Sequence, residues 1–276
     1  MMAPLLTEPV NEVLLTARRA GAATARCSLD LDRTTATVQL AADGWSSDGQ
    51  SYPYLEKCKA RTIYYWDGSA FSPAARYTTS LIKLVPTQWG APTFEIDGIK
   101  MLPTQTVSPY ADAQRKVGLV QPRGKVILDT CGGLGYFATC CLEAKAARVL
   151  SFEKNSDVLW LRSLNPWSPQ PGPATDAVLE VSLGDISVSI AALPDRSVDA
   201  ILHDPPRFGI AGELYSQAFY DQLARVIERR GRLFHYTGTP NRITSGRNVP
   251  EEVSARLRRA GFATELNGDG VVAIRR

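Results

Sequence analysis

Apolar residues recur along this chain with two different periods. Val10, Val13, Leu14 and Ala17 fall at i, i+3, i+4 and i+7, a single helical stripe, and Gly21 marks its stop. Beyond it the period drops to two: Cys27, Leu29 and Leu31 alternate with Ser28, Asp30 and Asp32, and Ala36, Val38 and Leu40 repeat the alternation. The turn pairs Asp43-Gly44, Asp48-Gly49, Asp67-Gly68 and Asp97-Gly98 punctuate β-prone runs such as Thr62 to Trp66 and Leu81 to Val85. This pattern predicts one helix and a small, mostly antiparallel sheet, forming a β-rich N-terminal domain over residues 1–103.

A second regime begins between Pro103 and Arg123. Short apolar runs, predicted as strands, cover Lys125 to Asp129, Arg148 to Phe152, Val178 to Leu183, Val198 to His203 and Arg232 to Tyr236. Helical patterns separate several of them, at Tyr136 to Ala147 and Ser216 to Glu228, and a further helix is predicted at Pro250 to Ala260. Phe262 to Leu266 and Val271 to Ile274 flank Asn267-Gly268-Asp269-Gly270, a hairpin signature. Apolar strands linked through helices require crossovers and a parallel sheet covered on both faces. The expected fold over residues 104–276 is α/β, a Rossmann-like doubly wound sheet closed by a C-terminal antiparallel hairpin.

Composition narrows the function classes. The chain has 276 residues, 44% hydrophobic and 21% charged, which excludes collagen-like and wholly disordered chains. No run approaches the roughly 18 apolar residues of a membrane span, and the first twenty residues lack a secretory pattern. We therefore expect a cytoplasmic protein with no membrane partner. Net charge is +3, but Arg207 to Arg276 holds twelve arginines, no lysine and seven acids. That excess leaves open a solvated basic surface or a face toward a polyanion. Cys27, Cys58, Cys131, Cys140 and Cys141 form no CxxC pair, so no metal site is expected.

The most informative stretch is Val126-Ile127-Leu128-Asp129-Thr130-Cys131-Gly132-Gly133-Leu134-Gly135-Tyr136. A strand enters a glycine turn, and the turn opens a helix, which lets backbone approach a ligand closely. Glu153 lies 18 residues after Gly135, just past the next strand. Asp185 follows the third strand and Asp204 the fourth. Four acids therefore stand at the carboxyl ends of successive strands, the edge where open α/β sheets bind ligands. Their charge opposes a pyrophosphate and favours a ligand with hydroxyls, an amino group and a positive centre.

This constellation resembles the class I S-adenosylmethionine (SAM)-dependent methyltransferases over roughly Lys125 to Arg276. The resemblance implies SAM as cofactor. It places Asp129, Cys131, Gly132, Gly133 and Gly135 around the methionine end, Glu153 on the ribose hydroxyls and Asp185 on the adenine amine, with Asp204 completing the cofactor-binding set. Cys131 stands where the family's first turn glycine belongs. Asp204-Pro205-Pro206-Arg207-Phe208 resembles the (D/N)PP(Y/F) segment of methyltransferases acting on planar amino nitrogens, with Arg207 at the aromatic position and Phe208 one later. The expected catalytic rim comprises Asp204, His203, Arg207, His235 and Tyr236. Asp204, foremost because it sits where the chain leaves the sheet, and the imidazoles are candidates for proton removal, Arg207 for binding an anionic acceptor group, and Tyr236 for orienting the substrate.

Gly212-Glu213-Leu214-Tyr215-Ser216-Gln217-Ala218-Phe219-Tyr220 is similar to a segment of spermidine-synthase-like aminopropyltransferases, which join a small β-domain to the same core. The chain lacks their GGGDGG turn and their acidic catalytic loop. Several readings follow. The first is SAM-dependent methyl transfer, a nitrogen nucleophile being one acceptor the motif favours. Others are aminopropyl or aminocarboxypropyl transfer, RNA methylation with the N-terminal domain as recognition module, and a non-catalytic scaffold with the SAM-binding fold. The acceptor is a small molecule or a nucleic acid, and exposed sheet edges in the N-terminal domain allow a homodimer.

Overall fold

The computed structural model describes residues 3–238 and 248–276. The chain divides into two compact units, Met1–Tyr110 with Trp160–Trp167, and Ala111–Leu159 with Ser168–Arg276. The first division falls at residue 110, against an expected boundary at 103, and a short piece of the later chain groups with the first unit.

In the first unit the helix Glu8–Arg19 starts after Thr7 and ends at Ala20, with Gly21 left-handed at φ 67°. Three small antiparallel sheets follow where one was expected. Thr24–Cys27, Ala36–Leu40, Gly44–Ser47 and Gln50–Pro53 form one of them. The alternation Cys27-Leu29-Leu31 does not form a strand. Asp30 accepts hydrogen bonds from Thr34 N at 2.9 Å and from the Thr34 hydroxyl at 2.6 Å, while Ser28 Oγ accepts from Asp32 N at 2.8 Å. These side-chain bonds compete with a ladder and wind the backbone, leaving Leu31 and Asp32 at φ 54° and 63°. The core gathers Leu6, Leu14, Val38 and Trp45 with Tyr52, Tyr64 and Phe71.

The second unit holds a seven-stranded sheet, labelled here β1 Val126–Asp129, β2 Arg148–Glu153, β3 Leu179–Leu183, β4 Val198–His203, β5 Ile227–Tyr236, β6 Phe262–Asn267 and β7 Gly270–Arg275. The spatial order is 3-2-1-4-5-7-6. Strands β1 to β5 pair in parallel, and β7 pairs antiparallel with both β5 and β6. The expected Rossmann-like doubly wound sheet with its closing hairpin is therefore present. Strand order reverses between β1 and β4, the switch point at which such sheets bind ligands. β1 and β4 are central because their residues are apolar on both faces, with Ile127, Leu128, Ile201 and Leu202 fully buried.

β5 begins five residues earlier than the apolar run from Arg232 indicated. Glu228 to Gly231 bulge out of register between the pairs Val198–Ile227 and Ala200–Arg232. A Cβ at Gly231 would lie 2.8 Å from Asp199 O and 2.6 Å from Ile227 Cγ1, so only glycine closes this bulge without displacing its neighbours. The helix Pro109–Val120, at the junction between the two regimes, has no counterpart in the sequence reading.

Candidate functional site

The glycine turn is stitched to both strands beside β1. Thr130 N donates to Leu202 O of β4 at 3.1 Å, and Gly132 N donates to Phe152 O of β2 at 2.7 Å. Asp129 is buried at the end of β1 and accepts from Ser151 Oγ of β2 at 2.9 Å. Gly135 starts the helix Tyr136–Glu143 with φ 81°, a left-handed conformation that glycine adopts without strain. At Cys131, burial first and then the carboxylates of Glu153, Asp129 and Asp204 push the thiol well above its ordinary range, opposed by the neighbouring Thr130 hydroxyl. It stays protonated and lies against the core.

Glu153 closes β2. Its Oε2 accepts from Gly133 N at 2.9 Å and its Oε1 from Asn155 N at 2.9 Å. The acid after β2 and the glycine turn thus meet directly. Asp185 caps the short helix after β3, accepting from Ser187 N at 2.9 Å and from the Ser187 hydroxyl at 2.7 Å. The Ser187 bonds hold its carboxyl below the usual carboxylate range, helped by Lys154 at 3.5 Å and opposed by burial. Glu153 and Asp185 are both partly exposed carboxylates held by backbone N–H groups. Such a pair accepts hydrogen bonds from hydroxyls and an amine, and its charge suits a cationic ligand.

The β4–β5 half of the edge is built differently. His203 and His235 are register partners, both fully buried, with ring centroids 4.4 Å apart. His203 Nε2 donates to Leu214 O at 3.1 Å, so its Nδ1 accepts from the Thr130 hydroxyl at 2.7 Å. His235 Nδ1 donates to Tyr236 O at 2.8 Å, and its Nε2 accepts from the Tyr220 hydroxyl at 2.9 Å. Burial lowers His203 to about 4 and lowers His235 well below its ordinary value, where the neighbouring His203 adds to the effect. His203 and His235, expected on the catalytic rim, lie in the interior. A parallel sheet is covered on both faces, and Leu214, Phe219 and Tyr220 pack over these two rings. Both rings are neutral parts of a hydrogen-bonded core.

Their successors, Asp204 and Tyr236, flank a residue that the sequence reading missed. Lys116, on the helix Pro109–Val120, is 2% exposed. Its Nζ donates to Asp204 Oδ2 at 3.1 Å and to Asp112 Oδ2 at 2.8 Å, and stands 4.1 Å from the centre of the Tyr236 ring. Burial works to lower the Lys116 pKa, but Asp204 and Asp112 outweigh it and hold the ammonium above its ordinary value. At Asp204 burial raises the carboxyl and Lys116 opposes without cancelling the rise. Burial and Asp204 raise the Tyr236 phenol. Arg115 extends the chain of charges, 3.0 Å from Asp112 and 2.7 Å from Asp269 at the tip of the β6–β7 hairpin. The available signal was Asp112 and Lys116 at i, i+4 beside apolar Ala113, Val117 and Val120.

Arg207 is exposed beyond Pro205-Pro206, in a turn closed by Ile210 N donating to Arg207 O at 2.7 Å. Phe208 lies edge-on to Tyr215 at 5.5 Å, and the Tyr215 hydroxyl donates to Pro206 O at 3.1 Å. The sheet edge therefore brings together Asp129, Cys131, Gly132, Gly133, Gly135, Glu153, Asp185, Asp204 and Tyr236, with Arg207 on the loop leaving it.

No family model matches the chain. In structure it resembles a spermidine synthase in complex with the transition-state analogue AdoDATO, 14% identical, covering 73% of this chain and 72% of that one with a TM-score of 0.58. A SAM-dependent methyltransferase from Mesorhizobium loti, 16% identical, covers 59% of this chain and 96% of its own with a TM-score of 0.45. No helix of the described residues is long and apolar enough to cross a membrane. In sequence the chain is 39% identical over 227 residues to the uncharacterized protein MJ1233 of Methanocaldococcus jannaschii, covering 80% of this chain and 76% of that protein. The chain therefore shares its fold with the spermidine synthase and belongs to the family of that M. jannaschii protein.

Proposed function

We propose that this protein is a SAM-dependent methyltransferase acting on an N–H nucleophile. The observation that carries the reading is the direct bond between the glycine turn and the acid after β2, Gly133 N to Glu153 Oε2. It joins the two elements that would grip the methionine and ribose ends of one ligand. Asp129 would support the turn from below, and Asp185 would receive the adenine amine.

SAM brings a methyl group already activated on a sulfonium, so the chain has mainly to align the acceptor and take its proton. Asp204 is the group we assign to the acceptor, since it leaves the sheet at the switch point with its carboxyl partly exposed. The raised carboxyl favours proton uptake. Tyr236 would form a wall of the acceptor pocket. Arg207, exposed on the following turn, would hold an anionic group elsewhere on the acceptor.

Aminopropyl transfer to a polyamine is less well supported. Such an acceptor carries ammonium groups, and the carboxylates of Asp112 and Asp204 already hold the ammonium of Lys116. Calorimetry with SAM and with decarboxylated SAM separates the two. We expect SAM to bind, and tighter binding of decarboxylated SAM would overturn the methyl-transfer reading in favour of aminopropyl transfer. Failure of both to bind would remove both readings.

A further inference from the structure

The helix Pro109–Val120 places one buried ammonium between the ends of two strands, and nothing in the glycine-turn half of the edge requires it. Lys116 Nζ has three donor directions, and the described residues occupy them: Asp112 Oδ2, Asp204 Oδ2 and the face of Tyr236. Asp112 is fixed in turn by Arg115, which reaches Asp269 on the hairpin. Strands β4 and β5 are in register at His203 and His235, so Asp204 and Tyr236 stand side by side at the next position.

We propose that Lys116 is a positioning residue for the acceptor site: it pins one oxygen of Asp204, keeps that carboxylate ionised, and leaves the other oxygen free for an N–H of the acceptor. The inference rests on the assignment of Asp204 to the acceptor. Among the described residues Asp204 Oδ1 accepts no hydrogen bond, and about a fifth of the side chain, 21%, is exposed. Three carboxylates, Asp112, Asp204 and Asp269, meet two cations, Lys116 and Arg115, in this chain of contacts. One negative charge is left uncompensated: Asp112 is bonded through both oxygens, whereas Asp204 Oδ1 and Asp269 Oδ2 accept no hydrogen bond among the described residues, and of these two Asp204 stands at the end of β4, on the sheet edge. The edge therefore suits an acceptor that presents a hydrogen-bond donor, and it disfavours a carboxylate or phosphate at that point. Such a group would belong instead near Arg207. The charged and titratable groups facing Asp204 are Lys116 and Asp112 from the helix, Asp269 from the hairpin, Tyr236 from β5, Tyr215 and Cys131.

The test is a carbon-detected NMR titration of the full chain labelled at the aspartate carboxyls, with the Asp204 signal identified by its loss in Asp204→Asn. Lys116→Met should raise the Asp204 midpoint by about one pH unit or more, because an opposite charge at this distance shifts a carboxyl by about that much. Lys116→Arg should return the midpoint most of the way to wild type, which a purely space-filling role would not do. If Lys116→Met does not fold, Lys116→Gln, which removes the charge and keeps hydrogen-bond donors toward Asp112 and Asp204, carries the same expectation. An unmoved Asp204 midpoint in a folded variant lacking the Lys116 charge would overturn the proposal. SAM calorimetry on the same samples keeps the two ideas apart. Loss of SAM binding by wild type would sink the methyltransferase reading while leaving the Lys116 shift measurable. An unmoved midpoint with normal SAM binding would sink only the role of Lys116.

Discussion

The two halves of the sheet's carboxyl edge carry acids at matching positions and satisfy them by opposite means. On the β2–β3 side, Glu153 and Asp185 are held by backbone N–H groups of Gly133, Asn155 and Ser187, with two of the three donors only two residues away in sequence. On the β4–β5 side, Asp204 is held by a side chain 88 residues away, itself buried in a network with Asp112 and Tyr236. Backbone donors are present whatever the neighbouring side chain, so the first half tolerates change and stays open for a ligand. The second half depends on a few charges that must all be present, because a buried charge without its partner is strongly destabilising. That difference suits a general cofactor-binding half and a specialised acceptor half.

The largest effect should come from breaking the second half. Lys116→Met strands the Asp204 carboxylate and leaves Asp112 with Arg115 alone, and denaturant unfolding at pH 7 should show a loss of about 3–5 kcal/mol. A loss below about 1 kcal/mol would mean that water, not Lys116, satisfies Asp112 and Asp204.

Acid should come next and also strike the β4–β5 side. His203 has a folded pKa of about 4 against an ordinary 6.5, and His235 is lowered as well. The folded protein keeps both neutral, while below pH 6.5 the unfolded chain takes up protons that the folded one refuses. Their contribution is complete above pH 6.5 and is lost as pH falls toward 4, by about 1.4 kcal/mol per pH unit for each histidine fully titrating in the unfolded state. Unfolding midpoints measured from pH 7 to pH 5 should fall accordingly, and His235→Gln should flatten the slope. An unchanged slope in that variant would place the titration elsewhere.

On the β2–β3 side, effects should appear in binding rather than stability. Glu153→Ala should weaken SAM binding by about tenfold or more, the loss of a charge-assisted hydrogen bond of roughly 1.5–3 kcal/mol, with the thermal midpoint little changed. Equal affinity by calorimetry would remove Glu153 from the site. The smallest effect is expected for Asp185→Asn, which keeps a carbonyl oxygen for Ser187 and for an amine. SAM affinity should stay within about threefold. A tenfold loss would show that the charge of Asp185, and not its acceptor geometry, matters to the ligand.

Sequence periodicity by itself determined the parallel sheet, its closing hairpin and the placement of Asp129, Glu153, Asp185 and Asp204 at strand ends. Each of these follows from local order: an apolar run fixes a strand, a glycine or aspartate just past it marks the edge, and Asn267-Gly268-Asp269-Gly270 names a turn. Local order failed where side chains competed with the ladder, as at Ser28 and Asp30, which wound a stretch whose apolar alternation read as a strand. Only the tertiary structure decided the inside of the edge. Two histidines that sequence position put at the rim lie inside, because Leu214, Phe219 and Tyr220 of the segment after β4 pack over them. A lysine on a helix absent from the reading came to lie between Asp204 and Tyr236. Its i, i+4 partner Asp112 was visible in the sequence, but a charged pair on a helix has the same spacing whether it faces water or the core. Burial depends on what the rest of the chain packs against that face, and no local pattern encodes it.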